Sequence, residues 1–335
     1  MTHATSSSPS PLFDASTDAD DAALAARFTH DDAAVRRLAV IEAAELEDEA
    51  WLPALVHALR HDADADVRRT AAQRLGAWES AEVVDALCQT ARDATLDLAS
   101  RQAAAESLTA LKSPAAGARI LNHFADADPF ARAALLRALR ELRLPQAART
   151  AREALSDASS EVRREAVGVL GWLRDEAALP LLAALALDDK DAEVRHAAVG
   201  ALGFATDDSV LDTLRHALSD DDWRVREEAA ATLGKLRLRA ARTALEAALE
   251  DDYWQVSLQA ARALGRVRDV ASTHAVVALL VYPISNVRKE AALALGELGN
   301  TDALAVLQAA LADGDPEVRK AARIAIAQIG ARHGV

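Results

Sequence analysis

A Val-Arg pair followed by Ala-Ala and then Leu-Gly recurs along almost the whole chain. The clearest copies are VRRTAAQRLG from Val67, VRREAVGVLG from Val162, VRHAAVGALG from Val194, VREEAAATLG from Val225 and VRKEAALALG from Val287. With the Val as position zero, the register falls at Val35, Val67, Ser100, Ala131, Val162, Val194, Val225, Val256, Val287 and Val318, and successive spacings are 32, 33, 31, 31, 32, 31, 31, 31 and 31 residues. A fixed period near 31 that holds two helical patterns is the signature of stacked helix pairs, each burying its apolar faces only against its neighbours. The expected fold is therefore all-α: an α-solenoid of about ten helix pairs, forming a single domain over residues 19–335.

Helical geometry says which residues make the core. Positions 0, +4 and +8 lie within about 80° of one another on a helix wheel, and they read Val, Ala, Leu. Small Ala at +4 and Gly at +9 (Gly76, Gly171, Gly203, Gly234, Gly265, Gly296) let neighbouring helices approach to about 8–10 Å. Apolar first helices fall between these units, as in residues 51–59, 179–187 and 303–311. Composition agrees: 51% hydrophobic residues with only 4% aromatics, 13 Gly and 9 Pro suit closely packed helices better than β-sheets.

The Asp-x-x-Val-Arg-x-x-Ala-Ala-x-x-Leu-Gly pattern resembles HEAT repeats of the phycobilisome-lyase-like type, over about residues 20–330. The resemblance implies that the Val-Arg helix is the second of each pair and lines a concave face, with the preceding Asp in the turn between helices. It implies architecture and not bilin chemistry, because such repeats serve many unrelated functions.

The residues that look catalytic recur too regularly to be a site. Asp stands at −3 in seven units (Asp32, Asp64, Asp97, Asp128, Asp191, Asp222, Asp315) and Arg at +1 in nine of ten. An Asp at a helix start accepts backbone N–H groups and pairs with Arg, which accounts for the recurrence structurally. His57 and His61, one helical turn apart beside Asp62 and Asp64, form an isolated pair read as solvated side chains. The chain has no His-Glu dipeptide of the kind deoxyhypusine hydroxylases repeat, and no zinc-protease, paired-Cys, phosphate-loop or nucleophile-elbow motif. Cys88 is read as a small core hydrophobe. No catalytic residue, metal or cofactor is expected, and the reading leans away from an enzyme. The alternative, by resemblance alone, is a lyase or chaperone-like lyase subunit handling a bilin or another cofactor.

Positions +2, +3, +6 and +10 are expected to point outward, with −2 and −1 at the rim. Units five to eight place aromatic and charged residues there, which gives the candidate partner-binding set Trp172, His196, Phe204, Trp223, Arg224, Glu227, Lys235, Trp254, Leu258, Arg262 and Arg266. Trp and Arg on one exposed face suit a protein-binding hot spot. Trp172 and Phe204 share position +10 in adjacent units, and Trp223 and Trp254 share −2, so each pair is expected to be close. Unit eight departs from the pattern with Tyr253 at −3 and Ser257 at +1, and unit nine begins Tyr282, Pro283, Ile284.

The net charge of −14 opposes non-specific attraction to phosphate or anionic lipid. The expected partner is another protein or a peptide segment, held by a non-enzymatic scaffold, adaptor or assembly factor in its concave groove. A HEAT-like nucleic-acid-binding protein is the third reading, resting on a local patch of Arg224, Lys235, Arg262, Arg266 and Lys289. Residues 1–18, rich in Ser, Thr and Pro, are expected to be a disordered leader. No apolar run is long enough to span a membrane, which points to the cytoplasm. Polar Arg323, where other units have Ala or Val, points to a capped end and a monomer.

Overall fold

The computed structural model describes residues 19–334, so the Ser, Thr and Pro-rich leader lies outside the described residues. These residues form twenty α-helices and no strand. They divide into two compact units, which meet in sequence between Ala154 and Leu155. The first holds α1 (Ala19–Arg27), α2 (Ala33–Glu45), α3 (Leu52–His61), α4 (Ala65–Leu75), α5 (Ala81–Arg92), α6 (Leu98–Ala110), α7 (Pro114–Asn122), α8 (Pro129–Leu142) and α9 (Ala147–Ala154). The second holds α10 (Ser160–Leu173), α11 (Leu179–Asp188), α12 (Ala192–Ala201), α13 (Leu211–Ala217), α14 (Trp223–Leu236), α15 (Arg242–Ala247), α16 (Trp254–Val267), α17 (Thr273–Val277), α18 (Ser285–Leu298), α19 (Leu304–Ala309) and α20 (Pro316–His333).

The even-numbered helices are the Val-Arg helices, and in each unit every one packs on the next: α2 on α4 on α6 on α8, and α10 on α12 through to α20. Their 0, +4 and +8 side chains are buried at every position except Val35 and Ile326, in the first and last repeats. Those two lie in the first and last described repeats, each of which packs on one described Val-Arg helix, and Arg323 is exposed in the same last helix. Cys88 is fully buried in α5 and burial pushes its thiol up to about 12, so it behaves as a core side chain.

All seven Asp residues at −3 cap their helices by accepting a backbone N–H. Capping and pairing with Arg are nevertheless mostly separate tasks. The Arg at +1 reaches across to an Asp at −5 of the following repeat: Arg36 to Asp62, Arg163 to Asp189, Arg195 to Asp220, Arg226 to Asp251 and Arg288 to Asp313. In each case Nε and Nη2 take the two carboxylate oxygens, while Nη1 donates to a loop carbonyl of the Arg's own repeat. Asp97 and Asp128 both cap a helix and take an Arg of the preceding repeat, Arg68 and Arg101, and Asp222 caps α14 while pairing with Arg224 of its own helix. These five two-pronged, largely buried rungs tie neighbouring turns together, where an isolated surface pair would contribute only about 0–1 kcal/mol.

Glycine at +9 sets the distance between Val-Arg helices. A Cβ on Gly234 would stand 2.7 Å from the Ala263 Cα, and one on Gly296 would stand 2.8 Å from the Ala325 Cα. The partner is in both cases the small residue at +7 of the following repeat, so close backbone approach requires glycine there.

Candidate protein-binding groove

The exposed faces of α10, α12 and α14 enclose an open groove of about 480 Å³. Its floor is made by Gly168, Gly171, Ala197, Gly200, Ala201 and Gly203, and its walls by Trp172, Phe204, Arg174 and Lys235. The floor exists because repeats five and six carry glycine at both +6 and +9, so two adjacent helices present bare backbone where other repeats carry side chains such as Gln73, Arg137 or Arg262. The walls exist because +10 ends the exposed stripe: Trp172 stands near the end of α10, 53% exposed. Phe204 sits on the tightened turn Leu202–Phe204 that prolongs α12. Lys235 occupies the same register on α14.

Arg174 closes the end of α10 in a left-handed conformation (φ 52°), and its backbone N–H donates to the Gly171 carbonyl. Arg174 and Lys235 are exposed and neither makes an ion pair among the described residues, so the groove combines an aromatic wall, a glycine floor and two available cations. Arg266 continues the +10 row beyond Lys235 and is also exposed.

The candidate residues fall into two places. Trp172, Phe204 and Lys235 line the groove, as the shared +10 register implied. Trp223 and Trp254 stand at the opposite ends of their helices, twelve residues from +10, or about 18 Å along the axis. There the Trp223 ring stacks on Tyr253 of the next repeat at 5.6 Å, and Arg226 covers the Tyr253 ring, so Trp223 is held by its neighbour. Trp254 is half-buried at the start of α16. Arg224 is tied to Asp222 and Glu193, and its hydrogen bond holds the Asp222 carboxyl at about 2.

The remaining candidates lie on the even-helix face between these ends. His196 approaches Glu228 at 3.8 Å, and burial raises the Glu228 carboxyl while the His196 charge opposes this. Arg262 clamps Glu290 through two hydrogen bonds, with Glu227 close enough to raise the guanidinium further. Glu227 and Leu258 are half-buried. The expectation that +3 points outward needs correction: Glu165, Gln259 and Glu290 are buried at +3, because that side of the helix faces the neighbouring Val-Arg helix.

The sequence reading missed Gly168, Gly200 and Arg174. The visible signal was glycine at +6 in two consecutive repeats, which occurs in no other repeat. His57 and His61 lie with ring centroids 5.0 Å apart on α3, and among the described residues no group of three His, Cys, Asp or Glu side chains converges. No helix among the described residues is long and apolar enough to cross a membrane.

The family model of HEAT repeats matches residues 21–109, 52–135, 117–203, 185–257 and 243–327. No curated protein matches the chain. Among solved structures, an engineered protein is similar at 22% identity and TM-score 0.54, with 92% of this chain and 98% of that one covered. Yeast importin-beta (Kap95p) is similar at 15% identity and TM-score 0.62, with 91% of this chain covered, and this chain spans half of its length. The Escherichia coli protein YibA is similar at 19% identity and TM-score 0.59, covering 80% of this chain and 98% of that one. At these identities the likeness is one of fold.

Proposed function

Because the chain belongs to the HEAT-repeat family, which stacks helix pairs into a continuous surface, we propose that it is a non-enzymatic scaffold, an adaptor or assembly factor, that holds a segment of a partner protein in the groove of α10, α12 and α14. The observation that carries this reading is the joint placement of exposed Trp172 and Lys235 and half-buried Phe204 around a floor of four glycines. Bare glycine backbone lets an extended chain lie close to the helices, and aromatic walls bury large apolar area with little side-chain entropy lost. The two cations favour a segment in which an acidic residue adjoins an apolar one. Importin-beta offers a parallel: Kap95 has been seen in complex with Nup1, a protein partner. Within the family, the Asp-x-x-Val-Arg pattern supports kinship with phycobilisome-lyase-like repeats, a kinship of architecture that brings no bilin chemistry.

Affinity capture from the native cell's lysate tests the reading, comparing the wild type with Trp172→Ala/Phe204→Ala and with Lys235→Glu. A protein retained by the wild type and lost from both variants is the expected result. Identical retained sets in all three captures would remove the groove from the function.

A further inference from the structure

Along the turns between first and second helices, the second unit presents an edge of acidic loops. Asp188, Asp189 and Asp191 lead into α12, Asp220 to Asp222 into α14, Glu250 to Asp252 into α16, and Asp313 and Asp315 into α20. The loop leading into α18 is the exception, reading Val281, Tyr282, Pro283, Ile284 with no acid. Val281 is 88% exposed, more than any other large apolar side chain among the described residues. The preceding repeat adds Tyr253, 46% exposed and stacked on Trp223.

The same place lacks a rung of the Arg–Asp ladder, and both partners are gone together. Ser257 stands where α16 would supply the Arg, and Tyr282 where the next loop would supply the Asp. Ser257 keeps only a bond from its hydroxyl to the Asp251 carbonyl. The helix cap is lost as well, since neither Tyr253 nor Ile284 makes a side-chain cap bond. A rung and two caps are thus lost in one stretch, with Tyr253, Tyr282 and Ile284 standing where other repeats carry Asp, and an exposed apolar patch flanked by charge marks an interaction surface.

We propose that this edge, centred on Val281, Tyr282 and Ile284, docks a protein segment in which apolar side chains are flanked by Lys or Arg. The charge around the patch sets that chemistry. Asp221, Glu250 and Asp252 are exposed on one side, while Asp313 and Asp315 on the other are half-buried, the first paired with Arg288 and the second capping α20. Three of the nearby cations are already engaged, Arg224 by Asp222 and Glu193, Arg226 by Asp251, and Arg288 by Asp313, while Lys289 lies further along α18. A basic segment would find the exposed carboxylates of Asp221, Glu250 and Asp252 beside an apolar step, whereas an acidic one would meet like charge. This surface lies on a different edge from the groove of α10, α12 and α14 and stands or falls independently of it.

The test is fluorescence anisotropy of the full chain with two labelled peptides of equal length, Leu-Phe flanked on each side by Lys residues and the same core flanked by Glu. The Lys peptide binds at low salt, more weakly as salt rises, and the Glu peptide does not. Val281→Asp/Ile284→Asp restores the acidic loop of the other repeats and adds two negative charges, so non-specific attraction to the Lys peptide would grow. Docking on the apolar patch predicts the reverse, a loss of about tenfold or more in affinity from the missing apolar contact. Asp at 284 caps α18 as in seven other repeats, and thermal unfolding at or above the wild-type midpoint is expected. Val281→Ser, at a side chain the fold does not bury, gives the same direction of effect. Trp172→Ala/Phe204→Ala leaves Lys-peptide affinity unchanged. Unchanged or tighter binding by the Asp variant, or no binding of the Lys peptide to the wild type at low salt, would overturn the proposal.

Discussion

Arg174 occupies a position that suits glycine. Its φ of 52° puts an L side chain in the left-handed region, as do Arg143, Arg237 and Arg268 at the ends of α8, α14 and α16, whereas α18 ends in Gly299. Such a conformation costs a non-glycine residue about 1–2 kcal/mol, and a cation at a helix C-terminus returns about 0.3–1 kcal/mol of it. Arg174→Gly and Arg237→Gly should therefore leave the thermal midpoint unchanged or raise it, by roughly 1 kcal/mol of stability at most. Only the first borders the groove, so only Arg174→Gly should weaken partner retention. Equal loss of retention in both variants would show that charge at helix ends in general matters, and not the groove.

At the scale of the element, the spacing of the Val-Arg helices rests on glycine at +9, unequally along the chain. A methyl on Gly234 meets the Ala263 backbone at 2.7 Å, while one on Gly171 meets the Ala201 side chain at an ordinary 3.4 Å. Gly234→Ala should lower stability by about 1–3 kcal/mol through overpacking, despite the better helix propensity of alanine. Gly171→Ala should be neutral or stabilising by up to about 1 kcal/mol. Chemical denaturation of both variants checks the contrast, and equal destabilisation would contradict it. This packing was legible from the sequence because Val, Ala, Leu and Gly repeat in register. The Arg–Asp rungs were harder to see. Asp220, Asp221 and Asp222 stand side by side, and periodicity alone does not tell which takes the Arg and which caps the helix. The groove floor was hidden for a different reason. Gly168 and Gly200 are single departures at a variable position, and they become one surface only when α10 packs against α12. Trp223, placed outward by its register, is half-buried and stacks on the Tyr253 ring of the next repeat, a contact between repeats that register alone does not give.

At the scale of the molecule, each repeat touches mainly its neighbours, so a solenoid can alter individual repeats while the rest of the scaffold stays regular. The second unit uses this freedom twice. Repeats five and six trade side chains for glycine and, with Lys235 of repeat seven, build the groove, and repeats eight and nine trade a rung and two caps for an apolar edge. The regular Asp and Arg residues, which outnumber any candidate catalytic group, are accounted for by caps and rungs, and what departs from the pattern is where function is expected. The most direct test of the groove is photocrosslinking in the native cell, with a photoreactive residue at Arg174 on the groove rim and, as control, at Ala184 on the exposed face of α11. Crosslinks from position 174 to one contiguous segment of one protein, absent from position 184, are the predicted result. No crosslink from 174, or the same products from both positions, would contradict the groove as the binding site.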